Sequence, residues 1–119
     1  MKHEISFDER NDIIVMRVKG EFNLQDAMET VDKMDELGKD KKTILVMADM
    51  REAAPKLDKD VRKLMQDLSK RMKMQKFAMI VTNPAIRIVG KIVIATMRNA
   101  RGSAFFRTEE EAIHWLKGD

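Results

Sequence analysis

The 119-residue chain has no cysteine. Disulfides, thiolate nucleophiles and zinc–thiolate centres are therefore excluded. A cysteine-free chain fits a reducing compartment without requiring one. Proline occurs only at Pro55 and Pro84, each at a boundary between apolar segments, and there is no repeat, low-complexity tract or linker. No apolar run approaches the roughly 18 residues needed to span a bilayer. The opening "MKHEISFDERND" carries charge where a secretory leader would need an apolar stretch, so a cytoplasmic location is expected. Neither sign of charge dominates: 23 Lys and Arg stand against 20 Asp and Glu, for a net charge of +3. A nucleic-acid binder concentrates basic residues on one face, and this balance gives no such footprint. "KRMKMQK" is the densest basic run. It is explained by cations at a helix C-terminus, where they complement the helix dipole. No specific nucleic acid is expected as a partner.

The chemistry-bearing residues are sparse too. The two histidines, His3 and His114, sit at opposite ends of the chain without metal-ligand spacing, and packing at or near the surface is expected of both. Ser6, Ser69 and Ser103 lack a G-x-S-x-G setting, and there is no Walker A or dinucleotide-binding glycine fingerprint. No cofactor, metal or catalytic residue is assigned.

The apolar content of 44% is ordered in a readable way. "HEISF" alternates as a one-sided strand, "DERND" is a turn cluster and "IIVMRVK" is a second strand, which together predict an N-terminal hairpin. Asn23 caps a first helix whose apolar face reads Leu24, Ala27, Met28, Val31, Met34 and Leu37, with Gly38 at its end. "TILVMAD" is a continuous apolar run, as in an inner parallel strand covered on both faces and ending at Asp49. A second helix starts near Asp58, with Val61, Leu64, Met65, Leu68 and Met72 inward. "KFAMIVTN" is another inner strand. Asn83 and Pro84 open a third helix that runs to about Asn99. "SAFFR" is a short last strand, and Thr108 with Glu111 starts a C-terminal helix carrying Trp115, which is expected to pack on the domain with Ala112 and Leu116. The order β-β-α-β-α-β-α-β-α predicts an α/β fold: one domain over 1–119, with a mostly parallel sheet of about five strands and four helices.

That order, with "VKGEFNLQDAMETV", "ILVMADM" and the ending "FFRTEEEAIHWL", resembles the STAS fold of anti-sigma-factor antagonists, in its divergent SpoIIAA-like branch. The resemblance implies a non-enzymatic module of protein–protein regulation. In phosphorylatable members an Asp-Ser-Ser-Gly or Asp-Ser-Thr-Gly motif follows the strand-ending Asp by about eight residues. Here the matching stretch is Asp58, Lys59, Asp60 and Val61, and no Ser or Thr occurs from Glu52 to Leu68. The phosphorylation switch is therefore absent. Asp60 could imitate a phosphate's charge, but a carboxylate in the first turn of a helix is the simpler reading.

Asp49 lacks a histidine neighbour or a second close acid, and a strand-end Asp commonly accepts N–H bonds from the segment that follows. The third helix carries more apolar residues than one buried stripe needs. Ile86, Val89 and Val93 are placed inward with Ile92 near them, and Ile88 and Ile94 face away, rimmed by Arg87, Lys91, Arg98 and Arg101. The candidate binding residues are therefore Asp49, Arg51, Asp58 and Asp60 around the loop, and Arg87, Ile88, Lys91, Ile94 and Arg98 on the helix, with the two groups expected to adjoin. The expected partner is a protein, or a second copy through self-association. An anionic lipid or small apolar ligand carried under the third helix is the alternative. The eleven methionines are read as core filling, with a Met-lined lipid pocket as the second reading.

Overall fold

The computed structural model describes residues 3–72, 74–96 and 102–118. Its elements are β1 (Glu4–Asp8), β2 (Ile13–Gly20), α1 (Leu24–Gly38), β3 (Ile44–Ala53), α2 (Lys59–Arg71), β4 (Met74–Ile80), α3 (Pro84–Thr96), β5 (Ser103–Phe106) and α4 (Glu109–Lys117). The sheet runs β1-β2-β3-β4-β5. β1 is antiparallel to β2 and every other pair is parallel. The hairpin turn closes on Asp8, whose carboxylate accepts from the Asn11 backbone N–H at 3.1 Å and its amide at 2.8 Å. Asp12 then takes φ 59°, a left-handed conformation that Asp tolerates better than most residues. Gly20, at φ 73°, turns the chain out of β2.

Sequential strand order decides where the helices go. Each crossover, β2–α1–β3, β3–α2–β4 and β4–α3–β5, steps one strand in the same direction. Crossovers of one hand then stack their helices on one face. The burial pattern agrees: Val31 and Met34 of α1, Leu68 of α2 and Ile86 of α3 share one core cluster with Ile14, Val46, Phe77 and Met79. The alternate residues of the same strands, Ile13, Val15, Met47, Ala78 and Ile80, pack with Ala112 and Leu116 of α4 on the other face. Period-two alternation thus separates the two cores.

The caps follow the sequence. Asn23 accepts from the Asp26 N–H at 2.8 Å, and Asp26 accepts in return from the Asn23 N–H at 3.0 Å. The Asn83 side chain accepts from the Ala85 N–H at 2.9 Å, and the Thr108 hydroxyl from the Glu111 N–H at 3.2 Å. Trp115 packs on the domain, its ring tilted against Phe106 at 5.4 Å with the Lys76 ammonium 4.9 Å from its centroid.

Three expectations need correction. Leu24 and Met28 are exposed, while Thr30 is buried on the inward face of α1. Its hydroxyl donates to the Asp26 carbonyl at 2.8 Å, so a polar side chain can sit in the core at little cost. His3 is buried rather than superficial. The Lys19 N–H donates to its Nδ1 at 3.1 Å, which leaves Nε2 as the protonated nitrogen, facing the Glu21 carbonyl and the Asp26 carboxylate at 3.1 Å each. β3 does not end at Asp49 but continues to Ala53, so Asp49 lies within a strand.

Candidate functional site

Two separate places in the fold collect six of the candidate residues, Asp49 and Arg51 at one and Arg87, Ile88, Lys91 and Ile94 at the other, and they lie on opposite faces of the sheet. The first is centred on Asp49, which follows Met47 by one strand period and so points to the α4 side. Arg17 stands beside it in β2, two residues beyond Val15, with the register pairing Arg17 to Asp49. Asp49 is only 8% exposed. Its carboxylate accepts from Arg51 Nε at 2.9 Å, Arg51 Nη2 at 2.8 Å, the Arg51 backbone N–H at 3.1 Å and Arg17 Nη1 at 2.9 Å. Glu109, in the first turn of α4, closes the ring: Arg17 Nη2 donates to it at 2.6 Å and Arg51 Nη2 reaches it at 3.4 Å.

Two cations and two anions cancel within this ring. The side-chain bond from Arg51 holds the Asp49 carboxyl below the usual carboxylate range, with the Arg51 backbone bond and the charge of Arg17 acting in the same direction. Arg17 is raised by its bond to Glu109, and Arg51 by its bond to Asp49. A general base or nucleophile needs a free lone pair at working pH, whereas Asp49 already accepts four hydrogen bonds. The arrangement ties the N-terminus of α4 to the sheet. Among the described residues no group of three or more His, Asp or Glu side chains is placed to hold a metal ion.

Arg17 and Glu109 are the members that sequence reasoning missed. Arg17 is the one charge inside "IIVMRV", and that interruption was the available signal. Glu109 is hidden in a run of three glutamates. Of the expected adjacency between the Asp49–Asp60 stretch and the third helix, the part at Asp49 is not found, because that helix packs on the other face, whereas the segment from Ala53 to Leu57 lines one cavity with α3. Asp58 and Asp60 are both exposed. Asp58 is the N-cap of α2 and Asp60 lies in its first turn, where it opposes the helix dipole.

The second place is α3 and the space beneath it. Ile86 and Gly90 are buried, while Val89, Val93 and Ile94 are partly so. A Cβ on Gly90 would stand 2.8 Å from Met79 Sδ and 2.9 Å from Phe105 Cε1, so glycine permits the closest approach of helix to sheet. Centring the inward face on Gly90 rotates the helix relative to a wheel drawn from Ile86, Val89 and Val93 alone. Ile94 is thereby brought against the core, which corrects its expected outward placement. The residues facing away are Ile88 and Ile92, 63% and 46% exposed, which also corrects the expected placement of Ile92 near the sheet-facing side. They are one turn apart, with exposed Arg87 and Lys91 adjoining. Arg87 also lies over the Phe105 ring at 5.1 Å. Arg98 and Arg101, and the predicted extension of this helix to Asn99, fall outside the described residues.

Between α3 and the sheet is an apolar cavity of about 100 Å³. Among the described residues six methionines line it: Met16, Met34, Met50, Met65, Met74 and Met79. α3 forms part of its roof, and the segment from Ala53 to Leu57 part of its wall. The methionines thus border a void as well as filling a core.

Among proteins of curated function, none matches the chain. The family described as "Domain of unknown function (DUF7793)" matches residues 7–118. The crystal structure of an uncharacterised DUF3478-family protein from Shewanella loihica PV-4, described as having a SpoIIAA-like fold, aligns with a TM-score of 0.74. The alignment covers 96% of this chain and 91% of that one at 14% identity, a likeness of fold. The SpoIIAA-like fold that the sequence resemblance implied is the fold of this chain. No helix among the described residues is long and apolar enough to cross a membrane.

Proposed function

The chain belongs to the DUF7793 family, and on its SpoIIAA-like fold we propose that it is a non-enzymatic binding module of protein–protein regulation, with the outer face of α3 as its contact surface. One observation carries this reading: Ile88 and Ile92 stand one turn apart, 63% and 46% exposed, beside Arg87 and Lys91. Large apolar side chains paired on a helix face, with cations beside them, suit a protein or a second copy of the chain better than water. Changing both Ile88 and Ile92 to Asp is expected to leave stability within about 0.5 kcal/mol, as for exposed sites. The same change should abolish self-association, or capture of a defined partner, in sedimentation and pull-down measurements. A folded variant that keeps every association removes this face from the account.

The cavity favours a second reading, a carrier of a small apolar molecule. An apolar void of about 100 Å³ stays dry, and a somewhat larger one, of about 150 Å³, takes benzene. Flexible methionine walls adapt to a guest. Native mass spectrometry of the purified protein is expected to show an added small-molecule mass that is lost on gentle activation. A bare protein mass, unchanged after incubation with short-chain hydrocarbons, counts against the carrier.

A further inference from the structure

Resting on the carrier reading, we propose that the ligand of the methionine-lined cavity is an amphiphile: a short hydrocarbon chain in the void, and a carboxylate head held at the rim by Lys56. Among the described residues, Lys56 is the only ionisable one in the cavity lining. Ser69 is the only other residue there with a polar side chain, and its hydroxyl donates to the Gln66 carbonyl at 2.7 Å. Its one O–H is therefore already used, and no donor is left there for an anionic head. Lys56 itself is exposed, and among the described residues its ammonium makes no ion pair or hydrogen bond.

The position of Lys56 is built rather than casual. The Ala54 N–H donates to the Gly20 carbonyl at 2.9 Å, and the Lys56 N–H to the Ala54 carbonyl at 2.8 Å. The first bond fastens the segment to the end of β2, and the second closes a tight turn around Pro55. A lysine so placed can lay its methylene stem on the apolar rim and keep its ammonium in water. Asp58 and Asp60 come next in the chain, but they belong to the start of α2 and are not part of the lining. An apolar interior with one uncompensated cation at its edge selects a chain with an anionic end. A neutral chain gains only the walls, and a cationic one meets repulsion. The volume limits the length: a cavity of about 150 Å³ takes a single benzene ring, so at about 100 Å³ the void takes the end of a chain of only a few carbons.

The test uses the full chain labelled at the methionine methyls, titrated separately with hexanoate, hexanol and hexylamine and followed by NMR. Hexanoate is expected to shift the methyl signals of the six cavity methionines and leave that of exposed Met28 in place. It should bind about three- to tenfold more tightly than hexanol, with hexylamine weakest, as for one charge-assisted contact at a wet rim. Lys56→Gln, at an exposed site, should fold normally and bring hexanoate down to the affinity of hexanol. Raising the salt should narrow the preference in the native protein. Equal binding of hexanoate and hexanol, or an unchanged preference in Lys56→Gln, overturns the head-group assignment while leaving the cavity as a site for apolar molecules. Cavity signals unmoved by all three probes overturn the assignment and the carrier reading together.

Discussion

Leu68→Ala is expected to lower folding stability by about 3–5 kcal/mol, the upper part of the range for buried leucines. Leu68 is 2% exposed and stands in the core cluster shared by α1, α2 and α3. It also borders the existing cavity. Deleting its branched end removes contacts and joins a new void to one already present, so the loss depends on how far the walls collapse. Leu68→Met keeps the volume and should cost less than about 1.5 kcal/mol. Denaturant unfolding with an unchanged slope checks both. A loss below about 1 kcal/mol for the alanine variant would mean that α2 settles into the gap, and that the cavity is softer than its geometry indicates.

Asp49→Ala is expected to cost about 2–3 kcal/mol. Removing one member of a fully buried charge pair costs about 3–5 kcal/mol. The figure is smaller here because the Arg17 and Arg51 side chains are 32% and 36% exposed and water screens what is left unpaired. The same carboxylate imposes a pH dependence. Its folded pKa lies below the unfolded value of about 3.9. The stabilisation is therefore complete above that value and is lost as the pH falls from about 4 through the folded pKa. Asp49→Asn should flatten this part of the acid-unfolding profile. An acid limb identical in the native protein and the Asn variant would show that ionisation of Asp49 contributes nothing to stability.

Much of this molecule was legible before its structure. Element order and most boundaries follow from local rules. Alternation and continuous apolar runs marked the strands, Asn23, Asn83 and Thr108 marked helix starts, and the turn cluster at "DERND" marked the hairpin. These signals lie within a few residues of what they specify, so one chain read from end to end contains them. The rotation of α3 was not legible. A wheel weighs side chains, and Gly90 has none, yet its missing Cβ is what lets Met79 and Phe105 close on the helix. The candidate pair of isoleucines changed accordingly, from Ile88 with Ile94 to Ile88 with Ile92.

The sequence by itself determined the fold class, the lack of thiol chemistry and the lack of a hydroxyl from Glu52 to Leu68 where relatives of the resembled family carry one. All three are properties of residue type and spacing along the chain. Only the tertiary structure decided that Asp49 and α3 occupy opposite faces of the sheet. That separation depends on whether β3 continues past Asp49 and on the face to which each crossover returns. Only the tertiary structure joined Arg17, Asp49, Arg51 and Glu109, because the ring spans 92 residues between Arg17 and Glu109. The cavity under α3 belongs to the same class of fact. A void is the shape left between side chains contributed by several separate elements, and no single segment of sequence contains it.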